Sequence, residues 1–332
     1  MSNEARQPVP NLRGKAIRFV TLLTERRDMT LLILIAICVF IITRFTPFFF
    51  TFVNLQTLGL AVAFNGIVVI GMTMLMISGG IDISVGASYG LSAIVVGLLI
   101  SAGFPTVPGI FIGLAIGAAV GLGNAVLVNR FGLSPFLATL GMMSVCRGLL
   151  WLVSGGHSIV GLPPQFMVIG QLKFLQIQFP VYIMLALVVV GDQLLRRTAY
   201  LRQLYYIGVN RQTAESCGIP TSRVTGFAYV LTGLLAALAG ILDGARVGAI
   251  YVMSGTGLEF QVITAAVIGG TALSGGKGTI FGSILGVILM AILTNVLNLS
   301  GVSMYWQNVF VGAILIAVVA LDAAITPREA RQ

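Results

Sequence analysis

The chain of 332 residues is 57% apolar and only 9% charged, whereas soluble domains carry about 25% charged residues. This composition excludes an ordinary soluble domain and indicates a membrane protein, since several apolar stretches reach the ~20 residues that cross a bilayer. The net charge of +9 does not indicate a nucleic-acid partner, because the basic residues lie in short loops, as is typical of topology determinants.

The first 28 residues are polar and basic, and an apolar run follows them. No small-residue cleavage site follows that run, so we expect it to remain as a transmembrane helix rather than act as a signal peptide. We therefore expect residues 1–28 to form a cytoplasmic tail, and we treat 1–332 as a single transmembrane domain.

Ten apolar segments predict an all-α polytopic protein with about ten transmembrane helices, of which the third and eighth are interrupted by glycine. An even number of spans places both termini on one side. With the N-terminus inside, cytoplasmic segments hold fifteen Lys and Arg residues and outer segments hold three, which predicts cytoplasmic termini. The segments are 29–47, 56–77, 85–103, 107–128, 135–154, 179–195, 224–242, 258–273, 279–299 and 306–322.

The stretch from Ser78 to Gly86, between the second and third spans, combines three glycines with a carboxylate. A helix broken within a membrane must satisfy its freed backbone groups against protein or a water-lined cavity, and such breaks in transporters often mark the substrate path. A similar stretch follows 196 residues later and forms a weak repeat, although chance in a glycine-rich chain explains it equally well. The candidate pathway or hinge residues are Gly79, Gly80, Asp82, Ser84, Gly86, Gly275 and Gly276.

Two further charges lie within or beside apolar segments, where charges are costly and usually functional. Arg147 lies midway along the fifth span and requires a carboxylate, helix-end carbonyls or a wet cavity. Glu259 lies near the outer start of the eighth span, and Asp82 lies near the inner end of the second. Both a structural role, as an ion pair or helix cap, and a role in the pathway fit these residues.

Two rows of glycines recur at every fourth residue, so each row lines one helix face. We expect these faces to pack within the chain rather than between subunits. The rows are Gly113, Gly117 and Gly121 in the fourth span, and Gly278, Gly282 and Gly286 entering the ninth. The cysteines Cys38, Cys146 and Cys217 show no metal or disulfide spacing, and we expect all three to be packing residues.

The sequence contains no recognisable catalytic, cofactor or metal-binding constellation. Lys277 follows two glycines, but Thr271 stands where a phosphate-binding loop needs its first glycine and Gly278 follows the lysine. Any use of ATP would therefore require another chain. An intramembrane enzyme would need a serine–histidine, paired-aspartate or metal-ligand set. An ion-coupled secondary transporter is the main alternative to a partner-driven transporter, although that class usually carries buried carboxylates or cation sites.

Several blocks in the correct order resemble the sugar-type permeases of binding-protein-dependent ABC importers, the ribose, xylose and autoinducer-2 group. The likeness covers about residues 50–322. The chain departs from the family at Gln261, where an acidic residue is usual. The blocks are Gly71–Thr73 through Gly86, Thr139–Leu140 with Arg147–Gly148, Ile207–Asn210 with Cys217–Pro220 and Tyr229–Gly233, and Glu259 with Ala265–Gly270 and Ser274–Gly276.

The resemblance implies the membrane-spanning subunit of an importer in the bacterial inner membrane, without enzymatic activity or a cofactor of its own. Two copies, or one copy and a related permease, would form a pore through the lipid bilayer for a sugar-like solute. ABC ATPase subunits would bind below, and a periplasmic solute-binding protein would deliver the solute above.

The inner loop 196–223 would be the coupling loop that the ATPase grips. Its polar helix formers at 211–216 end at glycine and proline, which predicts a short helix suited to this contact. The alternative is a solvated basic loop that only sets topology. The candidate coupling residues are Asn210, Ala214, Glu215, Gly218, Ile219 and Pro220.

Overall fold

The computed structural model describes residues 27–325, which form a bundle of helices. Each of the ten apolar segments coincides with a helix. The helices are α1 Arg27–Phe45, α2 Phe52–Ile77, α3 Val85–Ser101, α4 Thr106–Asn129, α5 Pro135–Ser154, α6 Pro164–Gln171, α7 Phe179–Arg197, α8 Ala199–Val209, α9 Arg211–Ser216, α10 Thr221–Val247, α11 Leu258–Ile268, α12 Ile280–Leu299 and α13 Met304–Ile325. The strands are β1 Ile159–Val160, β2 Lys173–Phe174, β3 Ile177–Gln178 and β4 Ala249–Ile250.

Six helices among the described residues are long and apolar enough to cross a membrane, namely α2, α4, α5, α7, α10 and α12. This finding confirms a polytopic membrane protein. Helix α11 has only 11 residues, so it extends about 16 Å, roughly half of the hydrocarbon thickness. The eighth predicted segment, 258–273, is therefore too long, because the helix ends at Ile268 and two glycines follow.

The two glycine rows bring helices into backbone contact within the chain, as expected. Helix α4 packs along α10, where Gly117 lies against the backbone of Gly233 and the side chain of Ala237. In the second row, Gly286 of α12 lies against the carbonyl of Ala265 in α11. A Cβ atom at either glycine would collide with these groups, so the small residue sets the helix separation.

The inner loop 196–223 contains two helices, α8 and α9, whereas the sequence predicted only the second. The side-chain oxygen of Asn210 accepts a hydrogen bond of 2.9 Å from the backbone N–H of Thr213 and so caps α9. Thr198 caps α8 in the same way through the N–H of Leu201, at 3.4 Å. Side-chain oxygens at these positions satisfy the free N–H groups of a helix start.

At the opposite end of the bundle, short strands and α6 cover the helix ends. Strand β1 pairs antiparallel with β4, with Ile159 opposite Ile250. Strands β2 and β3 form a hairpin with Lys173 opposite Gln178. Gly170 of α6 packs directly on the backbone of Arg246, near the end of α10.

Candidate functional site

The two glycine-broken stretches of the sequence repeat meet in space. The backbone N–H of Gly276 donates a hydrogen bond of 2.8 Å to the carbonyl of Ile77, the last residue of α2. Gly208 of α8 lies at the same point, because a Cβ there would collide with both of these groups. We call this contact of Ile77, Gly208 and Gly276 the glycine junction. It joins α2, α8 and the loop before α12 by backbone alone.

The glycines around the junction are required by backbone conformation as well as by space. Gly79, Gly275 and Gly276 have φ angles of +81°, +87° and +74°, which residues with a Cβ rarely adopt. A Cβ on Gly275 would lie 2.9 Å from the N atom of Gly79, and one on Gly80 would lie 2.7 Å from Cδ1 of Leu75. The structure therefore brings together four of the candidate hinge residues.

Asp82 is almost fully buried and forms a local turn directly before α3, whose N-cap residue is Ser84. Its Oδ1 atom accepts hydrogen bonds from the backbone N–H of Ser84 at 2.8 Å and from the Ser84 hydroxyl at 2.6 Å. Asn124 of α4 donates to the Ser84 hydroxyl oxygen at 2.9 Å, and the N–H of Ile83 donates to the Thr139 hydroxyl of α5 at 3.1 Å. These bonds tie the loop before α3 to α4 and α5. The sequence left both a structural role and a pathway role open for Asp82, and the contacts observed are those of the structural role.

The hydrogen-bond acceptors of Arg147 are backbone carbonyl oxygens. Its Nη1 atom donates to the carbonyl of Ser254 at 2.8 Å, and its Nη2 atom donates to the carbonyl of Gly86 at 3.3 Å. Among residues 27–325 no ion pair joins Arg147 to a carboxylate within 4.0 Å. The sequence allowed a carboxylate, helix-end carbonyls or a wet cavity. The structure instead supplies a loop carbonyl, that of Ser254, and a carbonyl in the first turn of α3, that of Gly86, beside an open cavity.

These contacts place the loop 251–257 deep in the bundle. Arg147 lies twelve residues along α5, about 18 Å from its first residue, and Gly255 packs directly on the backbone of Gly86 at the start of α3. The loop therefore descends from β4 to the middle of the bundle before α11 begins. We call residues 251–257 the re-entrant loop.

Glu259 lies at this depth rather than at an outer edge, which corrects the position expected from the sequence. It is 5% exposed, and its Oε1 atom accepts a hydrogen bond of 3.3 Å from the N–H of Gly257. Its Oε2 atom lies against Gly86 and has no hydrogen-bond partner within the described structure. Glu259 and Arg147 thus contact the same glycine. Gln261, the departure from the family, accepts a hydrogen bond of 3.3 Å from Asn65 of α2.

An open cavity of about 400 Å³ lies beside Arg147 on the face of α5. Among the described residues, no atom lies within 4 Å of a Cβ placed on Gly141 or Gly148, so residues 27–325 leave that face uncovered. The cavity combines guanidinium and hydroxyl donors with an indole ring. Its lining residues are Arg147, Gly148, Trp151, Met253 and Thr256.

Helix α9 is tied to the start of α10 by Glu215. The carboxylate accepts hydrogen bonds from the Thr221 hydroxyl at 2.5 Å and from Nε of Arg211 at 3.2 Å. The bond from Thr221, followed by that from Arg211, lowers the pKa of Glu215 below its ordinary value. Both bonds are therefore kept at neutral pH and are lost as the pH falls through that lowered pKa.

Beside these bonds, α8 and α9 border an apolar pocket of about 360 Å³. Among its lining residues are the coupling candidates Asn210, Ala214 and Ile219. Cys217 also lines it and is exposed, so the expectation that all three cysteines are packing residues is wrong for Cys217. Gly218 is left-handed with φ +80° and has open space around it, and Pro220 directly precedes α10.

Sequence reasoning missed Gly208 and the polar contacts between α2 and α12. The Thr73 hydroxyl donates to that of Ser283 at 2.8 Å, and the side chains of Asn54 and Asn295 bond each other at 2.7 and 3.0 Å. Gly208 stands inside one of the family blocks, which was the available signal. The threonine, serine and asparagine residues carry no comparable pattern, since only the fold pairs them.

We predict that Gly208→Ala lowers the thermal stability of the purified protein. The new Cβ must separate the Ile77 carbonyl from the Gly276 N–H, and overpacking of this kind typically costs about 1–3 kcal/mol. The matched control is Gly59→Ala, where the nearest atom to the new Cβ lies 4.0 Å away. Gly80→Leu and Gly276→Leu should act in the same direction as Gly208→Ala. Equal melting temperatures for Gly208→Ala and the control would contradict the junction.

We predict that Arg147→Ala also destabilises the protein, because the carbonyls of Ser254 and Gly86 lose their donors. A buried acceptor left without a partner costs about 1–3 kcal/mol. Arg147→Lys should give an intermediate melting temperature, since one ammonium group replaces the fork of donors. The control is Arg197→Ala, which removes an exposed arginine of α7. An unchanged melting temperature for Arg147→Ala would show that this side chain does not hold the re-entrant loop.

Comparison with known proteins identifies the family. A family model described as "Branched-chain amino acid transport system / permease component" matches residues 54–319. The chain is 39% identical to a ribose import permease protein of Bacillus subtilis, over 86% of this chain and 89% of that protein. It is 36% identical to an autoinducer 2 import system permease protein of Yersinia enterocolitica, over 82% and 76% respectively.

A ribose import permease protein of Escherichia coli strain K12 is 33% identical, over 91% of this chain and 94% of that protein. No solved structure gives a significant match. The matches extend over the glycine junction, the re-entrant loop and α9. The chain therefore belongs to this family of transport-system permease components, which confirms the resemblance to the permeases of ABC importers.

Proposed function

We propose that this permease forms part of the pathway for a sugar-like solute across the bacterial inner membrane. The observation that carries the proposal is the open cavity on α5, where Arg147 and Thr256 lie beside Trp151 at mid-depth. A few polar groups beside an aromatic surface suit a small hydroxylated ligand. Relatives named for ribose and autoinducer 2 import support the same class of solute.

The open face of α5 also supports a second permease copy, or a related permease, as the other wall of the pathway. A cavity that one chain lines on a single side cannot enclose a solute. A periplasmic solute-binding protein would deliver the solute, and separate ABC ATPase subunits would supply the energy. The secondary transporter considered from the sequence is not favoured, because the family is one of permease components.

The proposed topology has ten spans with both termini in the cytoplasm. The basic residues, fifteen inside and three outside in this topology, support that orientation. Helix α11 and the re-entrant loop together cross the membrane in this topology, because each covers about half of its thickness. The termini themselves lie outside the described residues.

Reporter fusions at residues 5 and 328 test this topology. We expect both fusions to report a cytoplasmic location, and a fusion after residue 175, in the hairpin of β2 and β3, to report a periplasmic one. Termini on opposite sides would contradict the even number of spans.

The coupling proposal assigns α9 as the contact for the ATPase. The bonds of Glu215 to Arg211 and Thr221 fix α9 against the start of α10, which leads directly into the bundle. A force on α9 would therefore reach a transmembrane helix through two side-chain contacts and Pro220. A side chain of the ATPase would insert into the apolar pocket beside α9.

We predict that Glu215→Arg and Gly218→Leu abolish uptake and receptor-stimulated ATP hydrolysis by the reconstituted importer, while the permease still inserts. The first change places two cations side by side, and the second puts a bulky side chain at a position with φ +80°. Gly132→Leu is a matched control for the second change, since Gly132 has φ +68° and equally open surroundings but lies in another loop. Full stimulation in both coupling variants would contradict the assignment.

A further inference from the structure

A groove of about 700 Å³ lies on the surface between the last turns of α4 and the first turns of α10. It has a basic end and an apolar remainder. Arg130 and Arg223 stand at the basic end, and Leu122, Val126, Phe227 and Val230 form the walls beyond it. We call this feature the basic groove. It shares no lining residue with the cavity on α5 or with the pocket beside α9, and Arg211 of α9 contacts its wall by donating a hydrogen bond of 3.3 Å to Oδ1 of Asn129.

The basic end is rigidly built but carries uncompensated charge. Asn129 ties the two helices together, because its Nδ2 donates to the carbonyl of Ser222 at 3.2 Å and its Oδ1 accepts from the Thr225 hydroxyl at 3.0 Å. Arg130 and Arg223 are exposed, and neither forms an ion pair in the part of the chain that the structure describes. Arg223 also lies in the first turn of α10, where the helix dipole disfavours a cation and favours an anion.

The apolar walls continue from each arginine along one helix face. On α4, Val126 and Leu122 precede Arg130 by four and eight residues. On α10, Phe227 and Val230 follow Arg223 by four and seven residues, so both sets share a face with their arginine. The walls extend about 12 Å from the arginines. Leu122 and Phe227 are 56% and 44% exposed, so the described part of the chain leaves them uncovered.

We propose that the basic groove binds an anionic phospholipid of the inner leaflet. The arginines and the start of α10 would hold the phosphate, and the apolar walls would hold an acyl chain. Basic pockets between helices at the cytoplasmic surface are suited to such headgroups. The orientation rests on the proposed topology, which places the ends of α4 and the start of α10 on the cytoplasmic side.

A phospholipid fits this groove better than the other anions that two arginines attract. A free phosphate would use only the basic end and leave the exposed apolar walls without a function. An acidic protein segment on the cytoplasmic side would also reach the arginines, but it would not enter the membrane to cover Leu122. Only an amphiphile matches a charge followed by an apolar surface of this length.

The test measures lipid retained by the complete importer, with its ATPase subunits bound, by native mass spectrometry. The complex is reconstituted into nanodiscs of mixed phosphatidylglycerol and phosphatidylcholine and then extracted into detergent. We expect wild type to retain phosphatidylglycerol selectively. The double variant Arg130→Gln with Arg223→Gln should bind it about thirtyfold more weakly, since each arginine near the surface contributes roughly a factor of five.

Two variants separate the charge from the groove. The double variant Arg197→Gln with Arg202→Gln removes two exposed basic residues outside the groove and should leave retention unchanged. Gly226→Trp keeps both arginines but fills the groove, because only Ala125 and Asn129 lie within 4 Å of a Cβ at this position. It should also reduce the retention of phosphatidylglycerol.

Three outcomes would overturn the proposal. Equal retention of phosphatidylcholine would show that the groove does not select charge. Displacement of the retained phosphatidylglycerol by added inorganic phosphate would indicate a site for free anions. Retention by the isolated permease but not by the complex would show that the groove is a subunit contact. If the wild-type importer retains the lipid but takes up no sugar-like solute, that result would count against the proposed transport function and leave the lipid site intact.

Discussion

Contact between backbones, with no side chain in between, is the constraint on which the other features of this protein depend. A membrane offers little hydrophobic drive for helices to associate, so close approach and dispersion must supply it. Gly117 provides this contact for α4 on α10, and Gly286 provides it for α12 on α11. Gly208 provides it where α8 meets the ends of the two broken stretches. Since each position excludes even a methyl group, the helix spacing is fixed by the chain itself.

Hydropathy and family motifs were sufficient to predict much of the architecture, and the reasons are local. Long apolar runs give α2, α4, α5, α10 and α12, and the helix formers before Gly218 gave α9. The depth of the re-entrant loop could not be predicted. The residues from Leu258 to Leu273 read as one apolar span, and this reading placed residues 251–257 outside the membrane. Helix α8 was missed because polar residues interrupt its apolar residues, so no apolar run in it is long enough to suggest a span.

The partners of Arg147 could not be predicted either, because they belong to other segments of the chain. For Arg147 the sequence left a carboxylate, helix-end carbonyls and a wet cavity open, and only the fold shows that the carbonyls of Ser254 and Gly86 accept its hydrogen bonds. Asp82, by contrast, has its hydrogen-bonding partner Ser84 two residues away, and this spacing is typical of a turn stabilised by an aspartate side chain. At Gln261 the family acid is replaced by an amide, and the structure supplies Asn65 as a neutral partner. That pair preserves a polar contact at the position without a charge.

The re-entrant loop has a consequence for how much energy an opening of the bundle requires. A continuous helix spanning the membrane can be displaced only by breaking its packing along the whole length. The loop instead is held to α5 by one side-chain hydrogen bond, from Arg147 to Ser254. A charged hydrogen bond contributes about 1.5–3 kcal/mol, which lies within the range by which ligands shift populations between two states. The hydrogen bond between α5 and the re-entrant loop is therefore one that differential binding by a partner is strong enough to break.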